Sequence, residues 1–353
     1  MGEHRRRSRS RSPHQSDEFI PVPVAPKLVL APSRAPWLSH NTLSIEDPLL
    51  QLHEELIDFH AFTQPTKGEK AAQKSVIERL QSLAKELWSD AQVRTFGSME
   101  TGLWVPGSDI DIAVLTELET DPQVLINDFA TLLLERKVAC ELERILNARV
   151  PIIKMKDKET DMTVDICFNL ENGIIGVEVV KQYIERYPEI PYLISAIKLF
   201  LKQRGLNDTY NGGVGSFLLF CTVVAAVQQH SSHRRERSKY RYFTLGHYFM
   251  YFLRLYGEDL DYERVGVSIR GEGSFFNKRA KGWKYSDRDR TLLALECPQN
   301  PDNDLGRNSY NIELVRKAYE HAYKLLCAQT FKQRGQTPLG CLIRSDRSLT
   351  ERR

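Results

Sequence analysis

The sequence predicts an α+β protein of two parts: a mixed sheet with flanking helices, and a mainly helical domain. Three observations carry that expectation. Apolar residues alternate in short runs between helical spacings over about residues 67–170. From Val177 onward the apolar spacing is helical almost throughout. A chain of 353 residues, 41% of them hydrophobic, has the length for two domains with sizeable cores.

Residues 1–45 are rich in Arg, Ser and Pro and bury too little apolar surface to offset chain entropy, so they are expected to be disordered. Order is expected from about Ser44, where Asp47 can cap a helix and Pro48 suits its first position. Helical spacing follows over Leu49–Phe62 and, after a Pro-Thr-Lys-Gly break, from Lys67 to Trp88. The period then changes. Gln92–Phe96 and Ile110–Leu115 read as strands, Pro122–Ala139 as a helix, and Val150–Met155 and Met162–Phe168 as two more strands. Helices are expected at 177–187, 190–204, 214–229, 244–256 and 311–328, with a short β-like insert at Gly266–Phe276. Ser231–Arg241, which holds Arg234, Arg235, Arg237, Lys239 and Arg241, has no apolar period and reads as an exposed connection, either a solvated loop or an RNA-facing patch. Residues 329–353 read as a basic C-terminal tail.

The net charge of +3 is concentrated at one end, because residues 1–12 hold five Arg and one Glu. Such an Arg/Ser tract is either a nuclear address and nucleic-acid arm or an inert solvated tail. It lacks the apolar stretch of a secretory signal. The longest apolar run, Phe217–Val227, falls well short of the ~20 residues that span a bilayer, so a soluble protein without a membrane partner is expected. Cys140, Cys167, Cys221, Cys297, Cys327 and Cys341 are scattered without a zinc-binding spacing, which points to a reducing, intracellular compartment.

The chemistry concentrates in Phe96-Gly97-Ser98 and Asp109-Ile110-Asp111-Ile112. Side chains two apart on a strand share a face, so Asp109 and Asp111 project together while Ile110 and Ile112 turn to the core. Two adjacent carboxylates suit a divalent ion such as Mg²⁺, although surface Asp pairs are common. Asp165 is a further acid inside an apolar strand. If that strand lies beside the first, three carboxylates converge, enough to bridge two ions about 3.5–4 Å apart for phosphoryl transfer. Gly97-Ser98 can approach and donate to a phosphate, or can simply form a strand-to-helix turn.

These motifs resemble the nucleotidyltransferase superfamily that includes DNA polymerase beta. The wider pattern is similar to the noncanonical poly(A) polymerases of the nuclear RNA-surveillance (TRAMP) type. The match is carried by Phe96-Gly97-Ser98, Thr101-Gly102-Leu103, Pro106, Ser108-Asp109-Ile110-Asp111, Ala148-Arg149-Val150-Pro151-Ile152, Asp165-Ile166, Phe168-Asn169, Leu206-Asn207-Asp208, Gly212-Gly213, Asn303-Asp304 and Gly306-Arg307. It runs from about residue 46 to 328.

The resemblance implies a polymerase beta-like catalytic domain over 67–170. That domain is inserted into a helical poly(A)-polymerase-associated central domain made of residues 46–66 and 171–328. It implies that Asp109, Asp111 and Asp165 hold two Mg²⁺ (or Mn²⁺) ions. It further implies that Gly97, Ser98, Lys198, Lys202 and Ser216 face the phosphates, that Phe217 stacks on the base, and that Asn169 and Gly173 lie near the ribose. The family more often has Tyr at the Phe217 position. Residues 297–311, with Asn303 and Arg307, resemble its nucleotide-recognition loop, but open with Cys297-Pro298 where the family has Asp-Pro. Related uridylyl-adding enzymes place His where Asn303 stands. The implied activity is ATP-dependent RNA 3′-adenylylation, with terminal uridylyl transfer and a silent RNA-binding scaffold as the alternatives. The implied setting is the nucleus or nucleolus. There a monomeric catalytic subunit would act on RNA 3′ ends with a zinc-knuckle RNA-binding protein and a helicase.

Overall fold

The structure, a computed structural model, describes residues 35–148, 150–170, 172–237, 244–283, 286–287 and 290–352. The Arg-rich tract at residues 5–11 lies outside them. Three helices come first: α1 (His40–Leu43), α2 (Pro48–Thr63) and α3 (Lys67–Leu87). Asp47 caps α2, its Oδ1 accepting from the Leu49 and Leu50 N–H groups at 2.9 and 2.8 Å. Thr66 and Glu69 close a reciprocal capping box on α3.

The sheet follows as β1 (Gln92–Phe96), β2 (Ile110–Leu115), β3 (Ala139–Ile145), β4 (Ile152–Asp157) and β5 (Thr163–Phe168). The short helix α4 (Gly97–Thr101) follows β1, and α5 (Pro122–Glu135) precedes β3. Spatial order is β1-β2-β5-β4-β3, with β2 and β5 parallel and every other ladder antiparallel. Alternation decides what each face carries. Ile110, Ile112 and Val114, Ile153 and Met155, and Val164, Ile166 and Phe168 are buried in one core with Val76, Leu80 and Ala84 of α3 and Ile126, Phe129 and Leu133 of α5. Asp111, Lys154 and Asp165 therefore point from the opposite face.

The helical part consists of α6 (Asn172–Arg186), α7 (Ile190–Lys202), α8 (Ser216–Arg237), α9 (Leu245–Arg254) and α10 (Ile312–Ala328), with a hairpin of β6 (Val265–Ser268) and β7 (Ser274–Asn277). Helix α2 packs on α7 and α9, burying Leu52, Leu56 and Phe59 in this second core. The chain thus begins among the helices, leaves to build the sheet and returns at α6. Both cores belong to one contact unit, Arg34–Arg353.

Several expectations are corrected. Order starts before residue 45: Trp37 is buried edge-on against Phe59 at 5.0 Å, its Nε1 donating to Glu55 at 3.0 Å. Residues 329–353 do not form a tail either. Leu339, Leu342, Ile343 and Leu349 enter the helical core, and Arg352 pairs with Glu69 at 2.7 Å. Buried Glu55 joins the two ends, accepting from Trp37, from the Thr337 hydroxyl, and from the Leu339 and Gly340 N–H groups at 2.7 and 3.2 Å. Helix α5 stops at Glu135 rather than Ala139, and β3 follows; its mostly exposed, charged residues on both faces gave no apolar alternation to read. Helix α8 continues to Arg237, so the stretch expected as a loop from Ser231 is helical up to there, consistent with the helix propensity of Arg and Glu. Residues 238–243 lie outside the described residues.

Candidate active site

Parallel pairing of β2 and β5 sets Asp111 directly opposite Asp165, and Asp109 immediately precedes β2. The turn after β1 fits closely around Asp111. Gly97 has φ +66°, and a Cβ there would stand 2.0 Å from Asp111 Oδ2, so only glycine allows this approach. The Ser98 N–H donates to the same carboxylate. Burial, and then the charges of Asp165 and Asp109, push the Asp111 carboxyl up to about 7. Burial and Asp109 raise Asp165 as well.

Positive charge flanks the acids on both sides. On α7, Lys198 is 7% exposed and its Nζ donates to the Leu103 carbonyl at 3.4 Å. Burial lowers its pKa to about 8 and Lys202 adds to that, while Asp111 and Asp109 work the other way. Lys202, one turn on, donates to the carbonyls of Pro106 (3.3 Å) and Gly107, and burial lowers its pKa too. A Cβ at Gly107 would lie 2.7 Å from that ammonium. The segment 103–107 therefore seats both lysines against the acid edge. On the other side Lys154, opposite Asp165 across β4–β5, reaches Asp165 Oδ1 at 3.5 Å and Asp109 Oδ2 at 3.7 Å. Burial opposes its charge, but the two carboxylates prevail and its pKa is raised.

Ser216 is the first residue of α8 and exposed; Phe217 is half-buried and stacked on Phe220, centroids 6.1 Å apart at 15°. The recognition loop lies nearby. Cys297, at its start, is buried and acts electrostatically on Cys221, one turn along α8 from Phe217. A small apolar thiol suits that interior, where a carboxylate would need partners. The Asn303 carbonyl accepts from Cys297 N–H, and Asp304 Oδ1 accepts from the Leu295 and Gly306 N–H groups at 3.0 and 2.8 Å. Gly306 packs so tightly that a Cβ would meet the Leu293 carbonyl at 2.0 Å. Arg307 is exposed on the same loop.

Asn169 does not join this group. It has φ +48°, and its Oδ1 accepts from Thr116 N–H at 2.9 Å, closing the far end of β2–β5. It lies about 13 Å along the strand from Asp165, four residues at ~3.3 Å each. There it lines a separate polar cavity of about 560 Å³ with Asp90 and Thr116. Gly173 is the second residue of α6, which packs on α4.

Lys154 has no role in the sequence reading, and Asp208 enters there only within the Leu206-Asn207-Asp208 match, without a role. Lys154 had a signal, a lone cation between the inward Ile153 and Met155. The motif around Asp208 was legible, but its effect on Asp165 and Lys154 depends on tertiary placement.

The donor set suits divalent cations: hard oxygens crowded on one edge, Asp165 Oδ1 buried with the Lys154 ammonium 3.5 Å away as its counter-charge, and a glycine cradle behind Asp111. Among the described residues no three acid, His or Cys side chains stand close enough to form a finished metal cage. Lys154 draws Asp109 and Asp165 toward itself and takes the place of positive charge at that edge.

Two family models match the chain: the central palm domain of mitochondrial-like poly(A) RNA polymerase over residues 52–185, and the Cid1-family poly(A) polymerase model over 244–303. Poly(A) RNA polymerase CID14 of Cryptococcus neoformans is 33% identical over 86% of this chain and 40% of its own length. An inactive noncanonical poly(A) RNA polymerase of Drosophila melanogaster, Trf4-2, is 30% identical over 78% of this chain and 68% of that protein. The chain belongs to the noncanonical poly(A) RNA polymerases. The solved polymerase core of TRAMP, an RNA surveillance complex, shares this poly(A) polymerase fold with a TM-score of 0.77 and 29% identity, covering 88% of this chain and 99% of that one. The chain spans about half the length of the first curated poly(A) polymerases it matches. Among the described residues no helix is long and apolar enough to cross a membrane.

Proposed function

We propose that the chain is a polynucleotide adenylyltransferase that extends RNA 3′ ends from ATP without a template. One observation carries the reading: the in-register pairing that brings Asp111 against Asp165, with Asp109 beside them and the buried Lys198 and half-buried Lys202 alongside. Asp109, Asp111 and Asp165 would hold two divalent ions, Mg²⁺ being the expected one. Bound there, such ions supply charge neutralisation at the phosphates and a lowered pKa for the RNA 3′-hydroxyl.

The protein's own residues do the rest. The 3′-oxygen forms its bond to the α-phosphorus as the bond to the β-phosphate oxygen breaks; pyrophosphate leaves and the hydroxyl proton passes to water. Lys198 and Lys202 hold the departing phosphates, aided by Ser216 and the N–H groups at the start of α8. In a site this desolvated an ammonium meets phosphate with little competition from water. Phe217 supplies a face for the base, and Asn303 reads its edge. Asn is shorter than the His of uridylyl-adding enzymes, leaving room for a purine with which it can donate or accept.

Membership of the poly(A) polymerase family and the fold shared with the TRAMP core support a role in nuclear RNA surveillance. A zinc-knuckle RNA-binding protein and a helicase are the proposed partners, as the resemblance to the TRAMP-type polymerases implies. The Arg-rich residues 5–11 support a nuclear address. The test is incubation of the purified chain with an RNA primer, Mg²⁺ and each nucleoside triphosphate separately. A ladder with ATP, dependent on Asp109 and Asp111, is expected. Preference for UTP would transfer the reading to a uridylyltransferase, and no incorporation of any nucleotide would favour a silent scaffold.

A further inference from the structure

The second substrate, the RNA 3′ end, must reach the acids from the side away from the departing phosphates. Charges across the site are ordered. Lys198 acts on the Asp111 side, whereas Lys154 and Asp208 act on Asp165. An in-line displacement puts the attacking and leaving oxygens on opposite sides of phosphorus. If the lysine pair grips the leaving phosphates, the 3′-hydroxyl enters over Asp165, Lys154 and the loop 206–213 that carries Asp208.

That loop is clamped. Gly213 N–H donates to the Asp208 carbonyl at 2.7 Å, Val214 N–H to Leu206 at 2.8 Å and Asn311 N–H to Gly212 at 2.9 Å. The Tyr310 hydroxyl donates to the Tyr210 carbonyl at 2.8 Å, and Asp208 Oδ1 accepts from Tyr210 N–H at 2.9 Å. Gly212 has φ +72°, and a Cβ there would stand 2.5 Å from the Tyr310 ring. On this fixed backbone the Tyr210 side chain is left 84% exposed, against 36–56% for the other exposed large apolar side chains among the described residues. A scattered exposed apolar residue needs no explanation. A ring almost wholly in water, on a clamped loop whose Asp208 acts on Asp165 and Lys154, is a preformed surface for a flat partner.

We propose that Tyr210 is the stacking platform for the 3′-terminal base of the RNA primer. The contact is indifferent to sequence, since every base has a π face. The proposal rests on the RNA 3′-end reading of the site, and its test does not require turnover. A primer ending in a fluorescent aminopurine is titrated with the wild-type chain, Tyr210→Ala and Tyr210→Phe, without ATP. Wild type and Tyr210→Phe should quench the reporter. Tyr210→Ala should lose the quench and bind the primer about tenfold more weakly, as expected for one lost base stack. Its melting temperature should stay at the wild-type value, because only main-chain groups of Tyr210 carry the loop's hydrogen bonds. In tailing assays Tyr210→Ala should raise the KM for primer by a similar factor and leave the KM for ATP unchanged, with Tyr210→Phe restoring the former. An unquenched reporter with wild type, unchanged primer affinity in Tyr210→Ala, or failure of Tyr210→Phe to restore it would each overturn the proposal. Should wild type incorporate no nucleotide, adenylyl transfer fails as a reading while the quench still decides Tyr210.

Discussion

Asp111, half-buried, and Glu55, fully buried, are both carboxyls whose pKa is pushed up to about 7, with loss of solvent as the leading cause in each. Their surroundings are opposite. Glu55 is met by donors from both ends of the described chain: Trp37 on one side, Thr337, Leu339 and Gly340 on the other. Asp111 is met by two further acids, and its relief comes from the Ser98 N–H and the charge of Lys198. One carboxylate is surrounded by what it needs; the other is crowded by what it repels. A raised pKa therefore does not by itself mark a functional acid, whereas like charges crowded together between flanking lysines do.

The largest expected effect separates the two sites. Asp109→Ala with Asp111→Ala should abolish tailing, a loss of at least ~10³-fold in rate, while a thermal melt shows the fold intact or more stable. Glu55→Ala should do the reverse. It leaves the buried Trp37 Nε1–H and Leu339 N–H unpaired and should cost about 2–4 kcal/mol of stability, seen as a lower melting temperature, with activity per folded molecule retained.

The sequence showed the first site well and the second not at all. Strands β1 and β2 came out with their observed ends because apolar alternation runs unbroken through Val93 and Ile110–Val114, and the acids stand out against it. Register was not legible. That Asp111 faces Asp165 follows from a pairing between residues 54 positions apart, and Lys154 meets Asp165 only through the further pairing of β4 with β5, neither of which a local pattern encodes. The segment around Leu339, Leu342, Ile343 and Leu349 was read as a tail because those apolar residues fall in no sustained period; they are held by packing and by Glu55. Asn169 adjoins the motif of the third acid, and its side chain accepts from Thr116 N–H at the far end of β2–β5, a placement the sequence pattern does not reveal.

Next in size is nucleotide choice. Asn303→His should move the ATP:UTP incorporation ratio toward UTP by roughly 5–150-fold, the worth of one hydrogen bond to a base edge, with Asp-dependent chemistry unchanged. Competition assays with paired nucleotides read it directly, and an unmoved ratio would remove Asn303 from base selection.

A smaller effect concerns pH. The Glu55 pKa is about 7 in the folded protein against 4.5 as the ordinary value, so the folded state holds the proton more tightly. The stabilisation is complete below the ordinary value and is lost as pH rises through about 7. The melting temperature should fall across that window, and Glu55→Gln, which cannot ionise, should flatten the slope. An equally steep slope in Glu55→Gln would show that another group carries it.

The most direct test of the contrast is the melting temperature of Asp111→Asn, measured without divalent ions at about pH 8, where the wild-type carboxyl is largely ionised. Asn keeps an oxygen to accept the Ser98 N–H and removes one charge from the cluster. If the edge is a cation site held under repulsion, Asp111→Asn melts at or above the wild-type temperature and loses tailing. A melting temperature lowered as far as that of Glu55→Ala would contradict the account, because Asp111 would then be a structural acid.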